Sequence, residues 1–305
     1  MADACKPINV DFTDIGFVSP SAALLISSVM RRTQVEARIN EDATGFGYAA
    51  HIGFFDACGV SGIGNKVGEA SGSPGYSPIK CLEFEDVKRQ SRQQGSAVPE
   101  VLQTRGENLA RILTRGSDPK IMRVVTYAMR EILRNCVEHS TSSTLWYAGQ
   151  YWENSHTVEV AVLDEGVGML ASLRHNPENA DISCEEEAIR AALLPAVSGV
   201  PLEQRKGDWG NSGYGLYITR RMCGIGSGSF GVVSNDAALL LSEKGDTKIP
   251  SMFRGTLVVM RLDTSRLDGL DGDFAERIAR EGEIEYEMRT GKKSPASSTS
   301  RSVEI

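Results

Sequence analysis

The sequence predicts an α+β fold, and three observations carry that expectation. Two long segments of helical periodicity precede the alternating segments of the C-terminal two thirds. Those alternating segments pair off across short polar turns, as hairpins of an antiparallel sheet do. The chain opens with a strand followed by a helix, and a return strand comes only after a glycine-rich loop, at 79–85. The chain has 305 residues, 41% hydrophobic and 24% charged, the composition of a globular protein. At roughly 150 residues per domain that length suggests two domains.

In chain order, residues 8–12 form a short strand. Ser19-Pro20-Ser21 then supply a cap and first turn for an apolar helix over 22–30. Six glycines between residues 59 and 76 (Gly59, Gly62, Gly64, Gly68, Gly72, Gly75) predict a mobile loop. Gly62-x-Gly64-x3-Gly68 and Gly59-x4-Gly64-Asn65-Lys66 lie in that loop with neither the spacing nor the following helix of a dinucleotide fingerprint or a P-loop. Residues 79–85 return as a strand, and the polar stretch 88–96 reads as a link to a second domain, with the boundary near residue 95.

The second domain opens with helices over 99–114 and 119–139, the latter capped by Asp118 with Pro119 in its first turn. The period then changes to two, giving strands over 144–152, 157–163, 230–234, 237–242 and 256–262. Helices grouped against such a sheet make a two-layer sandwich. After Asp263, an acidic segment with a helix over 273–288 leads into the polar run 291–300, whose composition predicts disorder.

Charge and cysteine usage exclude several classes. Forty acids against 33 bases give a formal charge of -7, which argues against bulk nucleic-acid binding. The six cysteines contain no C-x-x-C pair and read as reduced core residues. With no signal-peptide pattern and no apolar window of membrane length, the expectation is a cytoplasmic protein without membrane contact.

The candidate chemistry begins on the helix over 119–139. At about 100° per residue, Val125, Met129, Ile132, Leu133 and Cys136 share one arc, which faces the core. Glu131, Asn135 and Glu138 share the opposite edge, a pattern that a solvated helix face also has. The strand over 158–163 ends in Asp164-Glu165-Gly166-Val167-Gly168-Met169. A carboxylate at a strand tip accepts from an exocyclic amine while glycines admit a flat ring, although the same residues also make an ordinary turn. Further on, Gly213-Tyr214-Gly215-Leu216 opens a helix whose free amides suit phosphate oxygens.

In this order, Glu131-x3-Asn135-x2-Glu138-His139, Asp164-x-Gly166-x-Gly168, Gly213-x-Gly215-Leu216 and Arg254-Gly255-Thr256 resemble the boxes of the Bergerat-fold (GHKL) ATPases. The resemblance covers roughly residues 97–263. It implies a histidine-kinase-like ATPase domain over 96–265, with ATP and Mg2+ as cofactors and a lid over about 170–209. By matching position, Asn135 is implied as the Mg2+ ligand and Asp164 as the acid that reads the adenine amine. Gly166 and Gly168 would form the turn beneath the base, and Thr256 would support Asp164. Gly213, Tyr214, Gly215 and Leu216 resemble the phosphate-holding segment, while Glu138, His139 and Met169 fall within the same nucleotide-binding boxes. Glu131 matches the general base, with a salt bridge to Arg130 or Arg134 as its alternative. Arg205 and Lys206 are candidates to reach the phosphates from the lid.

The box Glu-x3-Asn-x2-Glu-His is most similar to that of the anti-sigma-factor serine kinases. Residues 10–24 resemble the strand-to-helix turn of STAS-like domains, the usual partners of those kinases, which implies a STAS-like domain over 1–95. Pro20 stands where the anti-anti-sigma members carry their phosphoserine. The function implied is an ATP- and Mg2+-binding regulatory protein that transfers phosphoryl groups slowly, to water or to a serine, and answers to a regulatory protein partner through its lid. A nucleotide-dependent binding switch without turnover, or an ATPase subunit of a larger stress-response or defence assembly, are the alternatives. A homodimer is implied by the resemblance alone.

Overall fold

Val158, Val160 and Val162 alternate along one strand with Glu159, Ala161 and Leu163, and all six are buried, so the sheet they belong to is covered on both faces. The computed structural model describes residues 8–12, 15–33, 35–38, 47–70, 75–114, 118–205 and 212–303. Strand β1 (Ile8–Asp11), helix α1 (Pro20–Arg32) and strand β2 (Val35–Arg38) form a unit whose two strands pair in parallel. Short helices α2 (Gly47–His51) and α3 (Phe54–Ala57) follow, then β3 (Tyr76–Glu83), α4 (Phe84–Gln94), α5 (Val98–Thr114) and α6 (Pro119–His139). Next come β4 (Thr144–Trp152), β5 (Thr157–Asp164), α7 (Met169–Leu173), α8 (Glu185–Ala192) and α9 (Gly215–Ile225). The chain continues through β6 (Ser229–Ser234), β7 (Ala237–Ser242), β8 (Gly245–Pro250) and β9 (Thr256–Asp263) to α10 (Phe274–Thr290) and α11 (Ser298–Arg301).

The fold is α+β, with one antiparallel seven-stranded sheet in the order β3-β4-β5-β9-β6-β7-β8. Its caps are those the sequence specifies: the Asp118 carboxylate accepts from the amides of Lys120 and Ile121, and the Ser19 hydroxyl accepts from that of Ala22.

The two-layer expectation is corrected. One face of the sheet packs Val158, Val160, Val162 and Met260 against the helical layer of α5, α6 and α9. The other packs Ala148, Ala161, Leu163 and Leu257 against Phe12, Leu24, Ile52, Phe54 and Phe55 of the N-terminal segment. Strands apolar on both faces need two covers, and the N-terminal segment is the second. Polar contacts fasten it there. The amide and hydroxyl of Ser21 donate to Glu159 (3.0 and 2.8 Å), and the Arg31 guanidinium lies 3.8 Å from the Trp146 ring centroid and 2.8 Å from Glu165.

A domain boundary at residue 95 also fails, because β3 pairs with β4 within the same sheet. The polar stretch 88–96 is mostly helix α4 rather than linker: its Lys, Arg and Gln are good helix formers, and Phe84 and Val87 are buried. Gly95 ends that helix at a φ of 65°. In the glycine-rich segment, Gly59, Gly62, Gly64 and Gly68 all take positive φ and no helix follows, as expected of loop glycines; residues 71–74 lie outside the described residues.

The expected disorder of residues 291–300 is overturned. Behind α10 the chain lies across α6 and α9, where Ser294 and Ser300 are buried. The Tyr214 hydroxyl donates to the Ser294 carbonyl (2.7 Å), and the Tyr127 hydroxyl to the Ser300 carbonyl (2.9 Å). Arg301 pairs with Glu276 (3.0 Å) and with Glu283. A segment poor in apolar residues is ordered because its polar groups find partners. Strand β8 escaped the sequence reading because every one of its residues is exposed, leaving no alternation to detect. Of the described cysteines, Cys58, Cys136 and Cys223 are buried as expected, whereas Cys81 and Cys184 are exposed.

Candidate functional site

The carboxyl end of β5 delivers Asp164 to the floor of a cleft of about 770 Å³ between α6, the segment 167–199 and the start of α9. Asp164 is buried, and β9 places Thr256 directly opposite it in register. The Ser140 hydroxyl and the Gly166 amide both donate to Asp164 Oδ1 at 2.8 Å, and the Cys136 thiol lies 3.8 Å from Oδ2. Burial raises the Asp164 pKa, and the bonds from Ser140, Gly166 and Cys136 pull it back in part. Oδ2, which takes only the long thiol bond from Cys136, keeps a lone pair for a further donor in the cleft.

Eight predicted site residues come together as its lining: Asn135, Asp164, Gly168, Met169, Gly213, Gly215, Leu216 and Thr256. Asn135, half-buried on α6, makes no side-chain hydrogen bond among the described residues. Gly168 (φ 85°) and Gly213 (φ 77°) need the left-handed region. A Cβ at Gly213 would lie 2.6 Å from the Val197 carbonyl oxygen, so this glycine lets the start of α9 meet the opposite wall of the cleft. The rest of the lining is mainly apolar, with Ile132, Val167, Leu173, Val197 and Val258 forming walls that suit a flat ring.

Other predicted residues lie outside the lining. Glu131 is buried and pairs with Arg130 through Oε1 (3.0 Å), the salt bridge of its alternative reading, while its Oε2 sits against Gly215, where a Cβ would collide with it. Arg130 and Arg134 are buried too, which corrects the solvated-face reading of this helix edge: the C-terminal segment covers it. Glu138 pairs with Arg134 (2.8 Å), and the buried Tyr214 points its hydroxyl at the C-terminal segment. Gly166 contributes its amide to Asp164, and a Cβ there would come within 2.7 Å of the carboxylate. The His139 side chain and Lys206 lie outside the described residues. Arg205 donates to the carbonyls of Ala196, Val200 and Ser212 (2.9 to 3.1 Å), which ties it to the backbone on either side of itself.

The structure adds residues that the motifs do not mark. Asn235, at φ 46°, donates from Nδ2 to Val167 O (2.9 Å) and Glu185 Oε1 (2.5 Å) and accepts from the Gly255 amide (3.1 Å). Glu185 Oε2 accepts from the Leu170 amide (3.1 Å) and the Ser234 hydroxyl (2.8 Å). Together they clamp the turn after Asp164 to the β6–β7 hairpin and to the start of α8. An Asn-Asp pair at a tight hairpin is the one local signal for Asn235; nothing local singles out Ser140 or Glu185.

Among the described residues, no group of three or more His, Cys, Asp or Glu is placed to hold a metal ion, and no helix is long and apolar enough to cross a membrane. No protein-family model matches the chain, and no curated protein matches it.

Proposed function

We propose that the chain is an ATP- and Mg2+-binding regulatory protein of the Bergerat type, in which nucleotide in the cleft sets the position of the lid and the affinity for a protein partner. One observation carries the reading: a buried carboxylate on the floor of an apolar, glycine-walled cleft, held by Ser140 and Gly166 through one oxygen and, through the other, only by a long bond from the Cys136 thiol that leaves a lone pair for a ligand. An adenine amine is the donor such an acceptor suits. The glycines at the start of α9 suit phosphate oxygens, which helix amides attract. Asn135, its carboxamide without a hydrogen bond among the described residues, fits a Mg2+ that takes most of its ligands from phosphates and water. When bound, that ion would neutralise phosphate charge, and the chain's own part would be to orient the nucleotide. The STAS-like reading of the N-terminal segment belongs to the same proposal, supported by its strand-helix-strand order.

The pairing of Glu131 with Arg130 favours the switch without turnover over phosphoryl transfer, since a general base must be free to take a proton. Calorimetry of Mg2+-ATP on the intact chain and on Asp164→Asn tests the binding claim. Binding lost in the variant supports it, and no binding by the intact chain overturns it. A steady-state ATPase assay on the intact chain and on Glu131→Ala then separates the two modes. Turnover abolished with binding retained would restore the catalytic role.

A further inference from the structure

The geometry points to a second binding site, for a phosphate or phosphomonoester group, in an open cavity between the β3–β4 edge of the sheet and α5. Ser77, Lys80, Arg105, Asn108 and Tyr147 supply its polar lining, with Leu109 and Ile112 beside them. It shares no lining residue with the cleft around Asp164 and does not rest on the reading given to that cleft.

A backbone irregularity builds this site. Ser77 pairs with Gly149 and Lys80 with Tyr147, so three steps along β3 cover two along β4. The extra residue is a bulge at Pro78, which has no N–H to give the ladder, while the Ile79 amide leaves the sheet to donate to the Ile52 carbonyl (3.0 Å). Without the bulge, residues an odd number apart would face opposite sides. With it, Ser77 and Lys80 both line the cavity under α5.

The lining is rich in donors and lacks a counter-charge. Among the described residues two cations line the cavity and no carboxylate does, and neither Lys80 nor Arg105 makes an ion pair. Arg105 gives one terminal nitrogen to Gln90 (2.9 Å) and also bonds the Tyr147 hydroxyl, but among the described residues its buried Nε has no hydrogen-bond partner. A buried guanidinium N–H left unsatisfied is costly and calls for an acceptor. Asn108 already uses its carboxamide oxygen to accept from Arg111 (3.0 Å). Burial holds the Tyr147 phenol in its protonated, donating form, and the Arg105 guanidinium offsets this only in part. Arg, Lys and the Tyr147 hydroxyl around one space, with the Ser77 hydroxyl held only by a long bond to the Pro78 carbonyl (3.4 Å), match the several acceptors of a phosphate, which takes more charge-assisted bonds than a carboxylate does.

Inorganic phosphate titrated into the intact chain by calorimetry, against sodium chloride and acetate at equal ionic strength, tests the site. The expected result is phosphate binding that weakens about tenfold or more in Lys80→Gln and in Arg105→Gln, the effect of losing one charge-assisted hydrogen bond. Asp164→Asn, in the other cleft, leaves it unchanged. Absence of phosphate binding, binding unchanged in both cavity variants, or equal binding of acetate overturns the proposal. Should either substitution unfold the protein, acetylation of Lys80 in the intact chain decides. Phosphate is expected to slow it relative to chloride, and an unchanged rate overturns the proposal.

Discussion

Arg130 and Glu131, neighbours on α6, are both buried and lie 3.0 Å apart, and the same guanidinium donates to the carbonyl oxygens of Thr299 (2.6 Å) and Ser302 (3.0 Å). One cation therefore neutralises the acid and fastens the C-terminal segment. Removing one member of a buried pair leaves the other uncompensated, at a cost of about 3 to 5 kcal/mol. Arg130→Gln is expected to destabilise the chain by that order in urea denaturation, and a loss below about 1 kcal/mol would show the pair to be dispensable.

Deleting residues 292–305 removes the acceptors of Tyr127 and Arg130, the acceptor of Tyr214 and the partner of Glu283. With each buried bond worth about 1 kcal/mol, the expected loss is about 2 to 4 kcal/mol. A urea midpoint unchanged by the deletion would return the segment to the disordered state its composition suggests.

Asn235 is expected to act on the cleft without lining it. Asn235→Ala takes away the donor to Val167 and the acceptor for Gly255, and puts a residue less tolerant of φ 46° at that position. The expected cost is about 1 to 3 kcal/mol of stability, together with weaker ATP binding as the turn after Asp164 loosens. Parallel melts and calorimetry check both, and unchanged values in both would remove its positioning role.

The raised pKa of Asp164 fixes a sign. An acid whose pKa is higher folded than unfolded loses its proton first in the unfolded chain, so stability falls as pH rises from about 3.9 through the higher folded value. That penalty is present in full at neutral pH. Asp164→Asn keeps an oxygen to accept from Ser140 and Gly166 while shedding the charge. Without nucleotide it is expected to melt at or above the parent temperature at pH 7, with the difference vanishing toward pH 4. Melting well below the parent at neutral pH would contradict the account.

The same carboxylate predicts base preference. On the proposed reading it would accept from the amine of adenine and repel the carbonyl oxygen at the corresponding place on guanine. One hydrogen bond to a charged group is worth about 1.5 to 3 kcal/mol, so ATP is expected to bind roughly tenfold to a hundredfold more tightly than GTP. Equal affinities measured by competition would disconnect Asp164 from base recognition.

Local chemistry was legible in the sequence because it depends on neighbours along the chain. The Asp118 and Ser19 caps, the span of α6 and the pairs of strands follow from capping residues and from apolar periodicity. So does the end of β5 at Asp164, where the alternation gives way to glycines. The tertiary structure decided what covers each face. Only there does the N-terminal segment become the second cover of the sheet, the polar C-terminal run become ordered, and Glu131 turn from an exposed acid into the buried partner of Arg130. The reason is physical: periodicity reports that a face is apolar or polar, but which segment meets it, and whether a carboxylate meets a cation or solvent, is settled by contacts between residues far apart in the chain.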